Sequence, residues 1–179
     1  MKCPATMTPE SSRPLPADSI GRQPVRRHIQ ADGMEREKLA RRFDLASLDR
    51  LEASLELSRH KGDVIRMKGH LTADAVQSCV VTLAPVPAHL EIDFETSYSA
   101  SAPEPSEAEL DPLGEDAPEP IPGGEIDLGE AATQQFAIAL DPYPRAPGAR
   151  LDSVGLEEEG SETGKKGPFA ALAALRGRS

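Results

Sequence analysis

The chain has 179 residues, a net charge of -10, 38% hydrophobic and 3% aromatic residues, 17 prolines and no tryptophan. That length allows one domain with tails, and so little apolar material leaves part of the chain expected to be disordered. No apolar run approaches the ~20 residues that span a bilayer, the first 21 residues lack the apolar stretch of a secretory signal, and Cys3 and Cys79 alone suggest a reducing cytoplasm rather than a disulfide framework. The charge is unevenly spread: residues 1–70 hold 14 Lys/Arg against 10 Asp/Glu, residues 71–164 hold 2 against 20, and residues 165–179 hold 4 against none. An acidic middle repels phosphate and attracts basic proteins, so any nucleic-acid contact falls to the two ends.

Residues 1–21, rich in Pro, Ser and Thr, read as a disordered leader. Val25 and Ile29 then offer a short strand beside Arg22, Arg26 and Arg27. Asp32 and Glu35 have capping-box spacing, predicting a helix over 33–43 that buries Leu39 and Phe43. Its exposed side carries Arg36, Lys38, Arg41 and Arg42, either a solvated face of i,i+4 pairs or, with the three upstream arginines, a candidate contact for RNA or the ribosome.

From Leu51 the period becomes two: Leu51, Ala53, Leu55 and Leu57 alternate with polar residues, although a helix through Leu45, Leu48, Leu51 and Leu55 competes. Ile65, Met67, Gly69 and Leu71 form a second run after the turn at Lys61-Gly62-Asp63. A third, with Cys79, Val81 and Leu83 on one face, is expected after Thr72-Ala73-Asp74. It is broken by Ala84-Pro85-Val86-Pro87, and Leu90, Ile92 and Phe94 give the fourth. Short connections favour an antiparallel sheet buried on one face. Residues 99–125, with six prolines, eight acids and no Lys or Arg, read as a disordered linker. Asp127 and Glu130 open a second helix to Leu140, with Leu128, Ala132 and Phe136 along its buried side, stopped by Pro142. An extended segment follows to Gly148, then an acidic linker over 149–166. The tail over 167–179 recovers an apolar rhythm in Phe169, Leu172 and Leu175, followed by Arg176, and docks either on its own domain or on a partner.

A catalytic centre is hard to build from this material. His28, His60, His70 and His89 lack metal-site spacing, and neither a phosphate loop nor a G-x-S-x-G elbow is present. Cys79 falls on an apolar strand face, which favours a structural thiol over a nucleophile. A non-enzymatic role without cofactor, membrane or small-molecule substrate is expected.

Four blocks carry a resemblance. Ala75 to Val86, around Cys79 and Pro85, resembles the cysteine-centred strand and turn of the YceD family. Ile126-Asp127-Leu128-Gly129-Glu130 followed by Leu140-Asp141-Pro142-Tyr143-Pro144-Arg145 is similar to its second block. Pro168-Phe169-Ala170-Ala171-Leu172 resembles its C-terminal tail, and Met34 to Leu45 resembles the N-terminal helix of the alphaproteobacterial branch. Many members have a Cys-x-x-Cys pair where this chain has Cys79 and Thr82, and a lone thiolate plus hydroxyl makes a poor zinc site, so no metal is carried over. The resemblance implies a cytoplasmic factor supporting accumulation of large ribosomal RNA and assembly of the large subunit, with ribosomal RNA or a basic ribosomal protein as partner. An acidic module chaperoning such a protein is the alternative. The expected fold is α+β: basic helix and antiparallel sheet over 22–98, completed by a second helix and an extended segment over 126–148, with acidic disordered linkers and a short C-terminal helix.

Overall fold

The computed structural model describes residues 9–60, 62–102 and 117–150. The fold is α+β, built on a five-stranded sheet. Its strands are β2 (Val25–Gln30), β3 (Ser47–Arg59), β4 (Val64–Ser78), β5 (Pro85–Ser99) and β6 (Glu119–Pro120), in that spatial order. The first four pair antiparallel, and β6 joins β5 in parallel at Tyr98↔Glu119. β1 (Pro14–Pro16) and β7 (Glu125–Asp127) form a second, two-stranded antiparallel sheet. Helices α1 (Gly33–Arg42) and α2 (Leu128–Ala139) complete the domain.

Alternation decides which sheet face is buried. Leu51, Ala53, Leu55 and Leu57 on β3 and Ile65, Met67, Leu71, Ala73 and Ala75 on β4 all lie inward. They share one core with Leu39 of α1 and with Leu128, Ala132 and Phe136 of α2. The two helices meet there through Phe43 and Phe136, whose rings pack edge-on with centroids 5.7 Å apart, a geometry favoured by the ring quadrupole. The capping box at Asp32 and Glu35 forms as the spacing predicts. At α2, Asp127 caps the N–H groups of Gly129 and Glu130, but the Glu130 carboxylate pairs with Arg42 across the domain.

Several boundaries differ from the sequence expectation. The helix considered through Leu45 to Leu55 is strand from Ser47 onward. Thr72-Ala73-Asp74 does not interrupt the sheet: Ala73 stays inward while Asp74 turns out to meet His89 at 2.6 Å, so β4 runs unbroken for 15 residues. The third strand expected around Cys79, Val81 and Leu83 is instead the turn joining β4 to β5, closed by Cys79 N–H to the Ala84 carbonyl and Leu83 N–H to the Cys79 carbonyl. Pro85 and Pro87 do not break the chain either. β6 reaches only the far end of β5, so the prolines occupy an open edge, where a missing donor is tolerated.

The leader is the largest correction. From Pro9 onward it is ordered, because Leu15, Ala17 and Ile20 supply buried apolar anchors between the prolines. Arg59 fixes it further, donating to the carbonyls of Ile20 (3.0 Å) and Ala17 (2.7 Å). Its backbone crosses α2 at Gly129, where a Cβ would overlap the Ser11 carbonyl, so only glycine admits the crossing. The linker expected over 99–125 is likewise structured from Ala117, through β6, a 3-10 turn at Pro122–Gly124 and the start of β7. Residues 1–8, 61, 103–116 and 151–179 lie outside the described residues, and with them the candidate docking residues Phe169, Leu172, Leu175 and Arg176.

Candidate functional site

The seven candidate RNA-contact residues do not form one patch. Arg26 projects from the outer sheet face and pairs with Glu56 at 2.8 Å, whereas α1 packs on the inner face through Leu39. Arg22 and Arg27 are exposed at and before the edge strand β2. On α1, Arg36 donates to the Ala31 carbonyl at 2.8 Å and Arg41 lies 3.5 Å from Glu37, while Lys38 is exposed. Arg42 is the most heavily engaged: its guanidinium bonds Glu130 twice, at 2.8 and 3.0 Å, and Glu10 at 2.9 Å. The Glu130 hydrogen bonds hold its pKa above the ordinary arginine value, so it is a structural clamp rather than a free cation. Arg36, Lys38 and Arg41 remain as the basic part of the exposed helix surface.

The outer sheet face carries a groove of about 930 Å³ whose walls include Arg26, His28, Glu56, Lys68, His70 and Glu95. Cross-strand register uses these charges against each other. Arg26 meets Glu56, Arg66 meets Glu95 at 2.8 Å, Lys68 meets Glu95 at 3.6 Å, and His70 Nδ1 lies 2.8 Å from Asp93. Such ladders stabilise a sheet surface and leave little positive potential for phosphate.

A different constellation joins two of the sequence blocks that carried the resemblance. The end of β4, the turn Cys79–Ala84 and the segment after α2 are knitted together. Gln77 donates through Nε2 to the Asp141 carbonyl (2.8 Å), and Val80 N–H donates to the Pro144 carbonyl (2.9 Å). Cys79 is buried beneath this junction, with its sulfur in a nest of donors. The Ala146 N–H is the strongest influence, followed by the Thr82 hydroxyl and the backbone N–H groups of Thr82 and Val81; together they bring the thiol down to about 6. Hydrogen bonds of this kind favour the anion. Thr82 stands at the position where a second thiolate would be needed, and its N–H, 3.4 Å from the sulfur, is one of the donors. The sulfur is thus satisfied by donors, and no cluster of three or more His, Cys, Asp or Glu suited to a metal occurs among the described residues. The described residues around Cys79, one thiol and a threonine hydroxyl, do not fit zinc.

Of the other motif positions, Asp127 is saturated by Ser12, by the Arg13 N–H and by its two helix N–H groups. Burial raises its pKa, but those bonds outweigh it and leave the carboxyl below its usual range. Leu128 is core and Pro144 is buried, whereas Pro142 and Arg145 are exposed. Pro168 and Phe169 lie outside the described residues. The sequence reading missed the solvent-facing Val80, Leu83 and Tyr143 at this junction; the signal available was Tyr143, an aromatic between prolines in an extended segment. No helix among the described residues is long and apolar enough to cross a membrane.

Nothing among curated proteins or solved structures matches the chain significantly. A family model described as large ribosomal RNA subunit accumulation protein YceD matches residues 67–176, more than half of the chain. That span takes in most of β4, the Cys79 turn, β5, α2 and the segment that closes over the thiol. Because the match covers more than half of the chain, the chain belongs to the YceD family.

Proposed function

We propose that this protein is a non-catalytic cytoplasmic factor supporting accumulation of large ribosomal RNA and assembly of the large ribosomal subunit. Membership of a family named for large ribosomal RNA subunit accumulation carries this reading. The chemistry of the described residues agrees with it: the buried Cys79 thiol is bound up in backbone and Thr82 hydroxyl donors, Asp32 and Asp127 cap helices, and Glu56 and Glu95 are engaged in cross-strand pairs. The finer assignment to the alphaproteobacterial branch rests on the Met34 to Leu45 helix, which precedes the matched span.

Contact with RNA would run through Arg36, Lys38 and Arg41, with Arg22 and Arg27 at a separate position. A second reading, an acidic module that chaperones a basic ribosomal protein, is favoured by the 20 Asp/Glu against 2 Lys/Arg of residues 71–164. Depleting the protein and profiling ribosomal particles tests the shared core of both readings. Large-subunit RNA is expected to fall relative to small-subunit RNA, with incomplete large particles accumulating. An unchanged ratio and profile would refute the role. Crosslinking in cells then separates RNA contact at α1 from contact with protein alone.

A further inference from the structure

Large apolar side chains are unevenly distributed over the solvent-facing surface. Among the described residues they are Met34, Val80 (49% exposed), Leu83 (79%), Ile138 (77%) and Tyr143 (71%). Four of these five belong to elements that meet at one end of the domain: the turn between β4 and β5, the last turn of α2, and the segment after it. The hydrogen bonds from Gln77 to Asp141 and from Val80 to Pro144 hold those elements together.

Leu83 adds a second observation. Its φ is 58°, a left-handed conformation in which glycine would sit without strain. The fold nevertheless keeps a leucine there and turns it outward. One strained, outward-turned leucine on a firmly bonded turn, with exposed apolar residues on the elements joined to it, points to a surface that something covers.

The path of the chain identifies the occupant. Val80 N–H holds the Pro144 carbonyl at 2.9 Å and Ala149 N–H closes on the Ala146 carbonyl at 3.0 Å, so the described chain ends at Arg150, six residues beyond its anchor on this turn. Phe169 follows after 18 intervening residues. A span of that length reaches at most ~60 Å, far more than a return over the tip requires. A site this close to the tether point meets the segment at an effective concentration on the order of millimolar.

We propose that the C-terminal segment folds back so that Phe169, Leu172 and Leu175 cover the apolar tip formed by Val80, Leu83, Ile138 and Tyr143. Their three-residue spacing puts all three on one side of a helical turn.

The test uses the purified full-length chain with a photo-crosslinking residue at position 172. Crosslinks are expected to peptides containing residues 80–84 and 138–143, with a yield independent of protein concentration. Leu83→Ser with Tyr143→Ser alters two exposed positions and is expected to leave thermal unfolding unchanged. It should lower the crosslink yield roughly tenfold, the consequence of losing apolar anchor area. Crosslinks between chains that rise with concentration would replace the tail by a second copy. Crosslinks scattered over the domain, or a yield unaffected by the double substitution, would overturn the proposal. No ribosomal component is present, so the outcome is independent of the assembly role.

Discussion

The donor nest around Cys79 makes a quantitative prediction about ionisation. With the thiol at about 6, about nine-tenths of it is thiolate at pH 7, against a few per cent for an ordinary cysteine. The leading causes are hydrogen bonds from Ala146, Thr82 and Val81, with no neighbouring charge among them. The midpoint should therefore barely move between low and high salt, unlike one set by an ion pair. Thiolate absorbance near 240 nm, followed against pH in a Cys3→Ser background, reads this directly. Thr82→Val removes the hydroxyl donor and should move the midpoint upward. The linked stability has a definite sign: because folding depresses the pKa, the contribution is fully present above the ordinary thiol value and is lost as pH falls through about 6. A Cys79→Ala variant should therefore lose most relative to the native chain in alkaline buffer and least near pH 5. Alkylation should still be slow despite the ionisation, since the sulfur is buried. A midpoint near that of a free thiol, or one that shifts strongly with salt, would refute the hydrogen-bond account.

Gly129→Ala should destabilise the domain by about 3 kcal/mol or more in denaturant unfolding, because the added methyl meets the Ser11 carbonyl, which cannot move without the whole leader. Gly69→Ala should cost less, about 1–2 kcal/mol, because its obstacle is the half-buried ring of Phe94, which can swing aside. Arg42→Met strands Glu130 and Glu10, whose side chains are 21% and 23% exposed, and should cost about 1–2 kcal/mol, between the values for surface and buried pairs. Should α1 contact RNA, replacing Lys38 and Arg41 by Gln ought to flatten the salt dependence of binding by roughly one unit of slope per lost phosphate contact; an unchanged slope would leave these residues as a solvated face. Elemental analysis of the purified protein is expected to find no stoichiometric zinc.

Much of the fold was legible in local pattern. The alternation from Leu51 to Leu57 and from Ile65 to Leu71 identified the inward face, and the Asp32/Glu35 spacing located α1 to within a residue. What escaped was decided by distant contacts. The leader has no periodicity of its own and is ordered because β7, the Asp127 carboxylate and Arg59 receive it. The β4–β5 boundary shifted because a turn of apolar residues imitates a strand when its hydrogen bonds are unknown. The basic residues were countable from sequence, but not their opposite sheet faces or the carboxylates that bind Arg26 and Arg42. The Cys79 nest was invisible for a further reason: its chief donor, the Ala146 N–H, is a backbone group that no residue type announces.

The pinning of the leader has a consequence for how the chain is made. Ser12 and Arg13 bond Asp127 across 115 and 114 positions of sequence, so the earliest of these elements to emerge must wait for one of the last. At about 5–20 residues per second, that interval is roughly 6–23 s. Until then β1, with Leu15 at its centre, lacks its β7 partner, although β2, α1, β3, β4 and β5 can already assemble and Arg59 of β3 can already hold the Ala17 and Ile20 carbonyls. The β1 segment therefore finds its place only after chain made more than a hundred residues later, and its closure over Gly129 reports that β7 and α2 have arrived.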